Sequence, residues 1–150
     1  LPVPEVLAIA AEIPARYKAL GMVLAFGGLR FGEATALRRR DVSDARLVVD
    51  RTCRYIHGAW TVGPPKTDAG RRTVTLPGSV ATLLENHLAD FVPDDPDALV
   101  FGTASGQFVQ RHNFGATFRR AVNRCGLPHT RVHWLRNTGA TLAASNGATT

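Results

Sequence analysis

The chain has 150 residues, 45% of them hydrophobic and 20% charged, with a formal net charge of +6, the profile of one soluble globular domain. Its first long uncharged stretch, residues 19–29, holds eleven residues and three glycines, against the ~20 apolar residues of a transmembrane helix, and no basic region precedes an apolar one at the start. Membrane and secretory classes are therefore not expected, and an intracellular, cytoplasmic protein is.

Pro2 and Pro4 open the chain, and Pro14 starts a predicted helix that runs to about Phe26, with Leu20, Val23 and Leu24 at helical spacing. Gly27 and Gly28 break it. Gly32 and Glu33 then open a helix through Leu37, so "FGGLRFGEATALRRRD" leaves Arg30 in a glycine-rich turn, while Arg38, Arg39 and Arg40 read as surface charge. Residues 45–77 change texture: "RLVVDRTCRYI", "AWTVGPP" and "RRTVTLP" are rich in β-branched and aromatic residues. Turn signals at His57-Gly58 and at residues 67–70 separate them, which reads as a three-stranded antiparallel sheet. Helical texture returns with Val80, Leu83, Leu84, Leu88 and Phe91 on one face, ended by "PDDPD". Residues 99–101 read as a short extended piece before a turn at Ser105-Gly106. Phe114, Phe118, Ala121, Val122 and Cys125 form another apolar stripe, with Arg119, Arg120 and Arg124 mainly on its other faces. Gly126-Leu127-Pro128 ends that helix, and a last one is predicted near His133. The fold class is α+β, mainly α-helical with one small three-stranded antiparallel sheet.

Charge is unevenly placed along this order. Residues 30–72 carry ten basic and five acidic groups, residues 73–110 carry five acids and no Lys or Arg, and residues 111–136 carry six arginines and no acid. Two basic blocks around an acidic one suit a fold that gathers positive charge for a polyanion; a solubilising surface is the plainer alternative. Cys53 and Cys125 stand far apart with no CxxC pair, which fits a reducing compartment, with a single bridge left open.

Three places hold residues suited to chemistry. His133 and Arg136 share a helical face by spacing, although an isolated His-x-x-Arg is usually a surface coincidence. Lys66 in "GPPKTDAGRRTVTLP" stands at a hairpin tip, where most lysines are simply solvated. His129 and His133 have helical metal-ligand spacing, but no HExxH pattern is present and Pro128 disrupts the helix start, so neither a metal nor another cofactor is expected.

In order, "GGLRFGEATALRRRDV", "PKTDAGRRTVTLP" and "HWLRNTGAT" resemble the tyrosine recombinase (phage integrase) family, over nearly the whole chain. The resemblance implies a catalytic-domain fold and cutting and rejoining of double-stranded DNA through a 3′-phosphotyrosyl intermediate, by a protein that assembles as a tetramer on DNA. It assigns Arg30 and Arg136 to the non-bridging phosphate oxygens, where guanidinium forks meet charge building in the transition state. Lys66 becomes the proton donor to the leaving 5′ oxygen, and His133 assists proton transfer. Glu33 either buttresses the site or is a first-turn carboxylate favoured by the helix dipole. Arg71, Arg72, Arg119, Arg120 and Arg124 are the further candidates for DNA contact.

The chain departs from the family pattern in several places. Its two tyrosines, Tyr17 and Tyr55, precede the His-x-x-Arg motif, whereas the family's nucleophile follows it. Residues 1–150 are therefore expected to be one partial catalytic domain, without the N-terminal DNA-clamping domain or the C-terminal tyrosine segment, and inactive in strand cleavage as it stands. Asn137 stands where a histidine is common, Trp134 where a small or acidic residue is usual, and Gly27 where Thr or Ser is. Asn137 keeps a non-catalytic DNA-binding remnant or regulatory relative open as the alternative.

Overall fold

The computed structural model describes residues 2–65, 70–127, 130–132 and 135; Lys66, His133, Arg136 and the predicted last helix lie outside them, apart from Leu135. The chain opens with a helix that sequence patterning did not signal, α1 (Val3–Glu12), which buries Val6, Ile9 and Ala10 at i, i+3 and i+4. The two prolines explain why it was missed and why it forms: proline's fixed φ suits a first turn, where its missing N–H has no intrahelical partner anyway. Helix α2 (Ala15–Gly27) follows, with every residue from Ala19 to Ala25 buried. A helix apolar on all sides is a core helix, and α2 packs against α1, α4 (Gly78–Phe91) and the short α3 (Phe31–Thr35). Gly28, at φ 67°, takes the left-handed conformation that ends α2.

The three-stranded antiparallel sheet is present, but its membership differs from the simplest reading of residues 45–77. It runs β1 (Val42–Ser43), β2 (Arg46–Val49), β5 (Arg72–Thr75), with Leu47 opposite Val74 and Val49 opposite Arg72. Strands β3 (Thr52–Ile56) and β4 (Ala59–Gly63) form a separate hairpin, closed by His57 and Gly58, both at positive φ, the signature of a type I′ turn. "RLVVDRTCRYI" is thus two strands of two sheets. One continuous strand would carry Arg51 onto the buried face of Leu47 and Val49. Instead the chain leaves the sheet at Asp50, and Arg51 pairs with the carboxylate of buried Asp41.

Helix α5 (Arg111–Arg124) buries Phe114, Phe118, Ala121 and Val122 as the stripe requires, and all four join the core around α2. It ends in a Schellman arrangement: Gly126 at φ 72°, its N–H on Asn123 O (3.2 Å), and the Leu127 N–H on Val122 O (2.9 Å). The acidic block folds back onto the first basic one. Arg40 pairs with Asp97, Arg38 donates to the Asp97 carbonyl (2.7 Å), and Arg39 Nη1 reaches the carbonyls of Leu88, Val92 and Pro93 at 3.2–3.4 Å. Arg39 therefore caps the C-terminus of α4, where carbonyls lack helical partners. These three arginines are staples to the 93–98 loop, not the free surface charge expected of them. Cys53 and Cys125 are both free thiols. No helix among the described residues is long and apolar enough to cross a membrane.

His87 sits on α4 between the rings of Phe91 and Phe101, with centroids 5.4 and 5.3 Å away, and its Nε2–H donates to Val100 O at 2.6 Å. Its Nδ1 is buried and has no hydrogen-bond partner among the described residues. Desolvation pushes the imidazole below its ordinary value of 6.5, and Arg16 pushes in the same direction, against the Val100 bond and Asp90. A depressed folded-state value means that the unfolded chain takes up the proton first, so stability contributed by neutral His87 falls as pH drops through the unfolded value. The thermal midpoint should therefore decrease between about pH 7.5 and 5.5, and His87→Gln, which keeps a donor for Val100, should flatten that decrease. Equal slopes for both proteins in thermal melts would refute the assignment.

Candidate active site

Arg30 occupies the residue before α3, in an extended conformation (φ −72°, ψ 152°), with its side chain exposed. Its backbone is held from within. The Arg30 N–H donates to Glu33 Oε1 at 2.8 Å, a carboxylate three residues into the helix satisfying an N-terminal amide that has no helical partner. Glu33 is itself 5% exposed. Arg72, from β5, binds both its oxygens, Nη1 to Oε2 at 3.0 Å and Nη2 to Oε1 at 3.1 Å. A bidentate guanidinium–carboxylate pair fixes direction as well as distance. Arg72 Nη1 also donates to Gly70 O at 2.8 Å, so one side chain ties the start of α3 to the backbone just ahead of β5. Among the described residues, the Arg30 guanidinium makes no hydrogen bond or ion pair.

The neighbouring glycines have intramolecular reasons to be glycine. A Cβ on Gly32 would lie 2.6 Å from Thr52 Oγ1 and 2.7 Å from the Cys53 carbonyl oxygen, so the first turn of α3 rests directly on β3. A Cβ on Gly70 would lie 2.6 Å from Cβ of Pro65, so Gly70 packs directly against Pro65.

The remaining candidates fall into two groups. Arg71 is exposed and 3.6 Å from Asp50, while Arg72 is half-buried and engaged by Glu33. Arg119, Arg120 and Arg124 line the exposed side of α5, with Arg120 on Thr117 Oγ1 (3.3 Å) and Arg124 on Glu12 O (3.4 Å). Two arginines that the motifs did not mark lie near Arg30. Arg111 stacks over Phe31, 5.3 Å from the ring centroid, and with Arg54 it lines a cleft of about 350 Å³ walled by Phe31, Cys53, Tyr55 and Trp60. They sit inside the two basic blocks, so charge patterning contained them without ranking them. Burial pushes the Cys53 thiol above its ordinary value of 9.0, against the pull of Arg38, which marks it as unreactive. A larger cleft of about 530 Å³, lined by Arg16, Arg38, His87 and the 102–107 turn, holds none of the predicted site residues. Among the described residues no group of His, Cys, Asp and Glu could hold a metal ion.

The architecture is that of tyrosine recombinase catalytic domains. The fold superposes on the Tn1549 transposon integrase in complex with circular intermediate DNA (TM-score 0.80, 20% identity, 98% of this chain and 54% of that one) and on the XerA recombinase (TM-score 0.75, 22% identity, 99% and 50%). Residues 2–150 match the phage integrase family, and the chain belongs to it. Among relatives, it is 36% identical to the integrase of Mycobacterium phage D29, over 98% of this chain and 41% of that protein. It is 37% identical to the integrase of Mycobacterium phage L5, over 98% and 42%, and 30% identical to a XerC-like tyrosine recombinase of Caldanaerobacter subterraneus, over 88% and 39%. The chain spans under half the length of each of these relatives.

The contact of α3 on β3 is directly testable. Gly32→Ala should destabilise the protein by about 1–3 kcal/mol, because the clash is with backbone and a short β-branched side chain that have little room to yield. Gly115→Ala on α5, where a Cβ meets nothing within 4 Å, is the control and should be neutral or stabilising. Urea unfolding of the two variants checks this, and a neutral Gly32→Ala would contradict the packing.

Proposed function

We propose that the chain is the phosphate-holding core of a site-specific DNA recombinase of the integrase type, in which Arg30 and Arg136 grip the scissile phosphate of double-stranded DNA. The observation that carries this reading is Arg30 itself. Its backbone is fixed by a buried carboxylate, while its charged end is exposed and uncommitted among the described residues. A structural arginine is held by its guanidinium, as Arg39 and Arg72 are; Arg30 is held the other way round, with the fork of donors left for an anion. Around that phosphate, Lys66 donates the proton to the 5′ oxygen, His133 assists the tyrosine's proton transfer, and Glu33 orients the first arginine. The product of the first step is a 3′-phosphotyrosyl link and a free 5′ hydroxyl. Arg71, Arg119, Arg120 and Arg124 supply positive surface for the flanking duplex, in a cytoplasmic protein that acts as a tetramer on DNA. The names of the similar proteins support this reading, since they are integrases and tyrosine recombinases, some solved on DNA.

The 150-residue chain is expected to bind DNA without cutting it. Tyr17 packs against the core from α2, and Tyr55 stacks on Trp60 at 4.9 Å on β3; neither matches the family's nucleophile position. Incubation with a nicked suicide duplex should leave no covalent adduct on a denaturing gel, and an adduct on Tyr55 would contradict the assignment. Binding to the same duplex should weaken steeply with salt. Arg30→Ala should make the slope of log K against log salt shallower by about 0.9, the share of one phosphate contact. An unchanged slope would remove Arg30 from the phosphate site, and salt-independent binding would reject the nucleic-acid reading altogether.

A further inference from the structure

Resting on that reading, we infer that Arg72 is a positioning residue that sets the Arg30 backbone, through Glu33, relative to Gly70 just ahead of β5. It is not a DNA contact, although its place in a basic strand next to Arg71 suggests one. Three observations carry this. Both terminal nitrogens of the Arg72 guanidinium, Nη1 and Nη2, are committed to Glu33, at 3.0 and 3.1 Å, and Nη1 also reaches Gly70 O at 2.8 Å. Glu33 Oε1 is the same atom that accepts the Arg30 N–H at 2.8 Å. Finally, Gly70 and Pro65 are close enough that a Cβ on Gly70 would fall 2.6 Å from Pro65, so the Gly70 carbonyl stands on backbone that is itself tightly packed. One planar cation thus joins two backbone segments, the one at Arg30 and the one at Gly70. The proposed chemistry needs the Arg30 guanidinium on the non-bridging oxygens of a single phosphate, and such a group acts only when it is held in one fixed place.

Positioning and direct contact predict different behaviour from the charge-preserving variant Arg72→Lys. An ammonium is a compact point charge that would still attract a phosphate, but it lacks the fork that spans both Glu33 oxygens. Binding of the chain to a nicked duplex would be measured for wild type, Arg30→Ala, Arg72→Lys and the double variant, with circular dichroism as the check on folding. Positioning predicts that Arg72→Lys loses about as much affinity as Arg30→Ala, roughly tenfold for a charged hydrogen bond, and that the double variant is no weaker than either. Wild-type affinity for Arg72→Lys, or losses that add in the double variant, would overturn the proposal. Amide hydrogen exchange supplies a second reading: Arg72→Lys should speed exchange at Arg30 while leaving Phe118 and Ala121 protected, and unchanged exchange at Arg30 would also overturn it. If Arg30→Ala proves silent toward DNA, the phosphate reading falls and the exchange experiment alone decides the role of Arg72. Should Arg72→Lys fail to fold, Glu33→Gln, which retains an acceptor for the Arg30 amide but not the ion pair, takes its place in both measurements.

Discussion

The buried carboxylate of Glu33 is the constraint on which the candidate site depends. A carboxylate with 6% side-chain exposure is tolerated in a core only when its charge is met and its lone pairs are occupied. Here the Arg72 guanidinium meets the charge, and the Arg30 amide occupies part of the acceptor capacity. Removing one partner of such a pair costs about 3–5 kcal/mol when both are buried, with less expected here because Arg72 is 29% exposed. The same pair joins α3 to β5, two elements far apart in sequence. A long-range pair of this kind turns a five-residue helix, too short to be stable alone, into a rigid mount for the residue before it.

The surrounding fold serves that mount. Helix α2 is buried on all sides and delivers the chain to the Gly28 turn, and Phe31 anchors the start of α3 against Phe114 of α5, with ring centroids 5.7 Å apart. From below, Gly32 lets α3 settle on β3. A second acid uses the same device a turn later: Asp41 accepts the Arg38 N–H at 2.9 Å and pairs with Arg51. Acids that cap a backbone amide and hold a remote arginine therefore fix both ends of the 30–41 segment. Arginines in this protein divide by which end is held. Arg39, Arg51 and Arg72 have bound guanidinium groups and stabilise the fold, whereas Arg30 has a bound backbone and an exposed charge.

Much of this was legible in the sequence, and the parts that were not have physical reasons. The apolar stripes of α4 and α5 could be read because helical periodicity survives where one face meets a core, and α2 could be read from Leu20, Val23 and Leu24 at helical spacing. The Gly-Leu-Arg-x-Gly-Glu pattern could be read through its resemblance to the phage integrase family, whereas the Glu33 contact with the Arg30 amide emerges only from the structure. Helix α1 was hidden behind two prolines that usually signal irregular chain. The break of "RLVVDRTCRYI" into two strands depends on Arg51 finding Asp41, and the partners of Arg38, Arg39 and Arg40 lie more than forty residues away. The partner of Arg72 was hidden for the same reason: in sequence it is the second of two adjacent arginines, and only the β2–β5 register turns it inward to Glu33 while Arg71 stays out.

The most direct test of this account is a crystal structure of the chain bound to a nicked duplex. The account predicts the Arg30 guanidinium on the non-bridging oxygens of one phosphate, with Arg72 still on both oxygens of Glu33 and on the Gly70 carbonyl. A structure in which Arg72 leaves Glu33 for the phosphate, or in which the DNA backbone passes Arg30 without contact, would contradict it.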